Sequence, residues 1–267
     1  MTDRIKVTIT DGVADVRLNR ADKMNALDPE MFRALGETAV TLGADPSVRA
    51  VVLSGEGRAF CAGLDFGSFK RMGDGNASAP GRLTMRTNGI ANHAQHAVWA
   101  WRDMPQPVIV AITGVALGGG CQVALGGDIR LIAPDARMSV LEIKWGLVPD
   151  MAGLAIMRGV LRDDVARELT YTGRMVGAEE CVAIGLATRI EADPYVAALE
   201  MAREIAGKSP HAVRGAKRLL NMVEDADSRA ILLAESVEQE ALIGSENQLE
   251  AVKAGMARRA PEFKDVG

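Results

Sequence analysis

Apolar and polar residues alternate with a period of two over Ile5–Thr10 and again over Val13–Asn19, and Asp11-Gly12 separates the two runs. Alternation of this kind half-buries a strand, and an Asp-Gly link supplies the positive φ angles of a tight turn, so the spacing predicts a β-hairpin. Asp28-Pro29-Glu30 then opens a helix reaching about Leu42: the aspartate caps free N–H groups, and proline and an acid suit the first turn. The continuous apolar runs Ala50–Ser54 and Val108–Thr113 predict buried strands. Between them, helical periodicity covers Thr84–Asp103, and Pro105 and Pro107 end it. Past Asp150 helical periodicity dominates. Helices are predicted over Met151–Leu161, Asp163–Tyr171 (with a stop at Gly173), Ala178–Ile184, Asp193–Gly207, Pro210–Val223 and Ala226–Ala257. The last carries Leu233, Val237 and Ala241 on one face. Strands early and helices late predict an α/β core with a helical C-terminal layer. Gly73–Gly81 (GDGNASAPG) reads as a linker-like surface loop.

Composition narrows this picture. The chain has 267 residues, 48% of them hydrophobic, which suffices for one large core. A net charge of −4 argues against a general nucleic-acid surface, while a small anionic ligand needs only a few local cations. Three cysteines, Cys61, Cys121 and Cys181, suit a reducing compartment rather than a disulfide framework. The first residues lack the apolar core of a signal peptide, and no window approaches the length of a membrane span, so a cytoplasmic protein is expected, with no membrane partner. His93 and His96 share a helix face, but no Cys or carboxylate at ligand spacing accompanies them; they read as surface histidines, and no metal is expected.

Candidate chemistry concentrates between Gly114 and Asp150. The triplet Gly118-Gly119-Gly120 follows the strand ending at Thr113 and precedes a small-residue helical segment. Glycines let a ligand lie against backbone, and N–H groups at a helix start favour an anion there. A second small-residue loop, GEGRAFCAGLDF (Gly55–Phe66), follows the strand at Ala50–Ser54. Either loop alone reads equally as a tight turn.

Four motifs in order, LNRADKMNALD (Leu18–Asp28), GRAFCAGLD (Gly57–Asp65), GVALGGGCQVALGGDIRLIA (Gly114–Ala133) and LEIKWGLVPD (Leu141–Asp150), together resemble the enoyl-CoA hydratase/isomerase (crotonase) family. The tail Arg258–Asp265 is similar to that family's end. The resemblance implies a crotonase-like α/β spiral of repeated ββα units over residues 1–195. It implies a C-terminal helical region over 196–267 that serves trimerisation and covers the ligand site. It further implies an acyl-CoA thioester substrate, with coenzyme A carried by the substrate and no separate cofactor, and a homotrimer or trimer-based hexamer. By motif position, the backbone N–H groups of Leu64 and Gly119 would form an oxyanion hole. Such donors match the charge that an enolate places on a thioester oxygen, and each can be worth about 3–4 kcal/mol.

Hydratases of the family carry one glutamate two residues after the triplet and a second further on. Here the second is Glu142, but the first position holds Gln122. An amide orients water but moves no proton at neutral pH. Asp150 lies eight residues after Glu142, where family members that convert 3,5-dienoyl-CoA to 2,4-dienoyl-CoA carry an aspartate. Those isomerases usually also have an acid at the Gln122 position. Two separated carboxylates suit a double-bond shift, one as base and one as acid. Asp150 reads equally as a cap for the helix predicted from Met151. Glu142 is less ambiguous, since an acid in an apolar motif is costly to bury without a task, though a salt bridge to Lys144 or Arg137 is its structural alternative. For coenzyme A, the resemblance points to Arg58 and Ala62 at the first loop and to Phe263 and Lys264 in the tail, the latter pair across a subunit boundary. Acyl length would be set by walls within Phe66–Ile90. Slightly favoured is isomerisation through Glu142 and Asp150. Hydration through Glu142 with a water held by Gln122, and acyl-CoA binding without catalysis, are the alternatives. A serine peptidase built on Ser139 lacks a histidine base in these motifs, and the triplet lacks the dinucleotide-binding glycine spacing.

Overall fold

The computed structural model describes residues 3–68, 83–223 and 226–266. The hairpin forms as expected: β1 (Ile5–Thr10) and β2 (Val13–Leu18) pair antiparallel from Ile5 opposite Leu18 to Thr10 opposite Val13. Asp11 and Gly12 both adopt positive φ, 50° and 78°. β3 (Ala50–Gly55), β4 (Val108–Ile112), β6 (Ile129–Ile132) and β9 (Arg189–Ile190) extend this pair, each parallel to its neighbour, into a sheet ordered β1-β2-β3-β4-β6-β9. A smaller sheet, β5-β7-β8, collects Val115–Leu117, Arg137–Ser139 and Val176–Gly177. After β4 and again after β6 the chain bends from the large sheet into the small one, then runs into helix. Successive turns of this kind stack as a spiral.

The continuous apolar runs are buried on both faces, as parallel strands covered on two sides require. In β3 and β4, Val51, Leu53, Val110 and Ile112 face the main core with α1 (Pro29–Ala44), α2 (His93–Asp103) and the fully buried Trp101. Ala50, Val52, Ile109 and Ala111 face α7 (Pro194–Ala206), which lays Ala198, Ala202 and Ala206 on the sheet. Four-residue spacing puts these alanines on one side of α7, and their small side chains let helix and sheet approach closely.

The other helices are α3 (Gly119–Leu125), α4 (Gly153–Val160), α5 (Asp163–Thr172), α6 (Ala178–Ile184), α8 (Pro210–Met222), α9 (Ser228–Leu242) and α10 (Glu246–Ala257). Three expectations need correction. The helix expected from Thr84 begins at His93, because Asn92 and Gln95 form a reciprocal capping box and Thr87–Ala91 is a turn held by its own backbone bonds. The helix expected from Met151 begins at Gly153, after Ala152 at φ 70°. The single helix expected over Ala226–Ala257 is two, because the backbone is left-handed at Gly244 and the Ser245 side chain caps a new start. The segment Gly73–Gly81 lies outside the described residues. Among the described residues, no helix is long and apolar enough to cross a membrane.

Candidate active site

Two loops meet beyond the C-terminal ends of β3 and β4. Buried Asn25 shapes the first. Its Nδ2 donates to the carbonyls of Glu56, Ala59 and Phe60 at 3.0, 2.9 and 3.1 Å, and its Oδ1 accepts from Arg20 N at 2.8 Å. Arg20 also pairs with Asp65 at 2.7 Å. The loop runs parallel to Leu27: Leu27 N donates to Gly63 O at 2.7 Å and Asp65 N to Leu27 O at 3.0 Å. In a parallel bridge the intervening residue turns its own N–H the other way. Leu64 N–H accordingly donates to no acceptor among the described residues.

The second loop turns at Gly118, whose φ of 51° with ψ −119° favours glycine and whose N–H donates to Ser139 O at 2.9 Å. Gly119 is the first residue of α3, so its N–H has no helical carbonyl to meet. The loops touch. Gly63 has φ 88°, and a side-chain carbon there would lie 2.6 Å from Leu117 O and 3.7 Å from Gly119 N. Both expected oxyanion donors therefore stand, unengaged, on adjoining loops.

Glu142 opens the short 3₁₀ turn Glu142–Trp145 and is 8% exposed. Gln122, on α3, donates from Nε2 to Glu142 Oε1 at 2.6 Å. Gln122 Oε1 accepts from Met151 N at 2.9 Å and Gly153 N at 3.0 Å. Glu142 Oε2 is buried with no hydrogen-bond partner among the described residues. No ion pair to Lys144 or Arg137 forms, and both of those side chains are exposed. Desolvation raises the Glu142 pKa. Nearby Asp150 raises it further, while the Gln122 hydrogen bond and the N–H groups of Glu142 and Leu141 pull it down.

Asp150 caps nothing: the N-cap of α4 is Ala152, with no side-chain hydrogen bond. Its residue surface is open at the rim, yet enough protein surrounds the carboxyl for desolvation to raise its pKa. The structure thus brings Glu142, Gln122 and Asp150 together. Across the rim, Phe66 meets Trp145 edge-on, with ring centroids 6.0 Å apart.

Arg58 is exposed beside the first loop, and Ala62 is half-buried, its N–H held by Met24 O at 2.9 Å. Phe263 and Lys264 are not brought to this loop within the chain. Arg49, which precedes β3, donates to Phe263 O at 2.7 Å, and Lys264 Nζ pairs with Glu246 of α10 at 2.6 Å. They sit by the N-terminal end of β3, whereas the oxyanion loop follows its C-terminal end.

The remaining candidates are structural. Cys61 is fully buried, its thiol pushed up to about 12 by desolvation, and its Sγ lies 3.1 Å from Asn25 O. Burial likewise raises the Cys121 thiol, with Glu142 adding to the shift. Ser139 Oγ donates to Gly173 O at 2.9 Å. No metal-ligating cluster occurs among the described residues. Sequence reading passed over Arg20 and Asn25. Both lie in the first motif, but nothing local in LNRADKMNALD tells that Asn25 reaches carbonyls more than thirty residues away.

The family model for enoyl-CoA hydratase/isomerase matches residues 8–266. The chain belongs to the enoyl-CoA hydratase/isomerase family. It is 30% identical to the mitochondrial methylglutaconyl-CoA hydratase of Mus musculus, over 95% of this chain and 80% of that protein. It is also 30% identical to the peroxisomal Delta(3,5)-Delta(2,4)-dienoyl-CoA isomerase of Arabidopsis thaliana, over 92% and 90%. A crystal structure of an enoyl-CoA hydratase/isomerase from Mycobacterium abscessus superposes with a TM-score of 0.89 at 28% identity, covering 98% of this chain and all of that one. The crotonase spiral expected from the motifs is the fold observed, and this family member is an acyl-CoA enzyme. Relatives of both reaction types match at the same identity, so identity alone does not choose between hydration and isomerisation.

Proposed function

We propose that this enzyme shifts a double bond along a conjugated acyl-CoA, converting a 3,5-dienoyl-CoA to a 2,4-dienoyl-CoA. One observation carries the reading: Gln122 is spent on Glu142 and on two backbone N–H groups, whereas Asp150 caps no helix and lies near enough for its charge to act on Glu142. With both lone-pair directions of its Oε1 occupied and one N–H given to Glu142, Gln122 has no free acceptor to take a proton from a water as a second carboxylate would. The acid–base pair left is Glu142 and Asp150. Leu64 N–H and Gly119 N–H would receive the thioester oxygen as it gains charge.

Glu142 takes the inner position. Its Oε1 lies 3.5 Å from where a side-chain carbon on Gly118 would stand, beside the oxyanion loops. It would take the proton from C2, and the electrons would spread over the oxygen and the diene. Asp150, nearer the rim, would deliver a proton to C6. Environment assigns the roles: both carboxyls are desolvated, but Gln122 stabilises the ionised form of Glu142. Acyl-CoA as substrate, with no further cofactor, is part of this reading. So is a trimeric or hexameric assembly in which the tail of one copy, with Phe263 and Lys264, reaches the ligand of another beside Arg58 and Ala62.

Steady-state assays of two variants on two substrates test the reading. Asp150→Asn and Glu142→Gln should each lower kcat on a 3,5-dienoyl-CoA by about 10²–10⁴-fold, the usual span for one acid or base. Hydration of a 2-enoyl-CoA that is robust, lost in Glu142→Gln and untouched in Asp150→Asn would replace isomerisation with hydration.

A further inference from the structure

Gln122 occupies a position from which it contacts both segments that carry the candidate carboxylates. Its Nε2 holds Glu142 Oε1 at 2.6 Å, and its Oε1 holds Met151 N and Gly153 N, immediately after Asp150. The amide is 1% exposed, so these bonds face little competition from water. The sequence makes room for this contact: a side-chain carbon at Gly153 would lie 2.7 Å from both Cγ and Oε1 of Gln122. Glu142 itself is left with one oxygen bound and one bare.

We infer that Gln122 is a positioning residue: its amide ties the Glu142 carboxylate to the backbone beside Asp150, which leaves Glu142 Oε2 as the single proton-exchanging atom and fixes the spacing of the two acids. The inference rests on the proposed roles of Glu142 and Asp150, but it concerns a tie that exists without ligand. Only an amide can make all three bonds with Glu142 ionised. A carboxylate there could still accept from Met151 N and Gly153 N, but its other oxygen would meet Glu142 Oε1 at hydrogen-bond distance, acceptor against acceptor, unless the two shared a proton. A methionine would fill the space and donate nothing. Among the described residues, the ionisable groups that act on Glu142 are Asp150 from the segment before α4 and the Cys121 thiol of α3, and neither supplies a positive charge. The Gln122 N–H is therefore the side-chain donor that favours the ionised form of Glu142.

The test is direct titration of the Glu142 carboxyl in the ligand-free full-length protein, by carbon NMR of carboxyl-labelled glutamate. Its resonance is identified by its loss in Glu142→Gln. Gln122→Met should move the midpoint upward by half a pH unit or more and lower kcat by at least tenfold with little change in KM. Gly153→Ala, which displaces the Gln122 amide without touching Glu142, should move the midpoint the same way. Gln122→Glu should replace the single step by two coupled steps spread over more than two pH units. An unchanged Glu142 midpoint in folded Gln122→Met, or in folded Gly153→Ala if the methionine variant does not fold, overturns the inference. Because the titration needs no substrate, its outcome is separate from that of the turnover assays. Loss of the isomerase reading leaves the tie intact, and an unmoved midpoint leaves the isomerase reading standing.

Discussion

At the scale of single residues, Glu142 is kept at the expense of stability. A carboxyl with a bare oxygen inside the protein loses more hydration than the Gln122 hydrogen bond and neighbouring N–H groups return, so its pKa rises above the ordinary 4.5. The folded state then binds its proton more tightly than the unfolded state. Stability from this group is fully present below about pH 4.5 and is lost as pH rises through the folded value. Glu142→Gln removes the charge and keeps the bond from Gln122. At pH 7 that variant should be more stable than the native protein, because a neutral amide in the same place is less costly to desolvate than a carboxylate. Thermal melts at pH 7 and pH 4 check this: the gain should be present at pH 7 and shrink towards zero at pH 4. A variant less stable at neutral pH would mean that Glu142 has a stabilising partner.

At the scale of elements, the loops work because backbone approaches backbone. Gly63→Ala would place a methyl group 2.6 Å from Leu117 O at a φ of 88°, so the first loop must move off the second. The expected result is a fall in kcat of about 10²–10³-fold, the loss typical of one oxyanion donor, with a smaller change in KM. Stopped-flow or steady-state assays on any acyl-CoA that the native enzyme turns over would measure it. Elements built from local patterns were legible beforehand. The hairpin at Asp11-Gly12, the Asp28-Pro29 helix start and the doubly buried β3 and β4 each follow from residues within a few positions of one another. Boundaries set by competing caps were not: periodicity before His93 is interrupted by the Asn92–Gln95 box, and Gly244-Ser245 splits a continuous apolar pattern. Of the site, motif order pointed to Leu64, Gly119 and Glu142. It did not show what Gln122 touches, because Glu142 and Met151 lie twenty and twenty-nine residues further along the chain. Nor could it separate a catalytic Asp150 from a capping one, since that turns on where a helix starts.

At the scale of the whole molecule, the C-terminal helices leave apolar surface open in the single chain. Leu232, Leu233 and Val237 of α9 are 63%, 65% and 58% exposed, and α9 buries no residue of its own. Water contact over such a face is unfavourable, and packing against a second copy would relieve it. Light scattering should give a mass three or six times 28.3 kDa, and Val237→Glu should reduce it to that of one chain. If the tail serves a neighbouring copy, the dissociated variant should also show a raised KM for acyl-CoA while Glu142 titrates as before. A native mass of 28.3 kDa would leave Phe263 and Lys264 without a route to the site.

Isomerisation requires Glu142 and Asp150 to work as a relay across a conjugated chain. The measurement closest to that claim is the fate of solvent deuterium. A 3,5-dienoyl-CoA incubated with the native enzyme in D₂O, followed by proton NMR, should yield the 2,4-dienoyl-CoA with deuterium at C6, delivered from the exchanged Asp150 carboxyl. No conversion of the diene, together with hydration of a 2-enoyl-CoA that leaves deuterium at C2 of the 3-hydroxyacyl product, would contradict it.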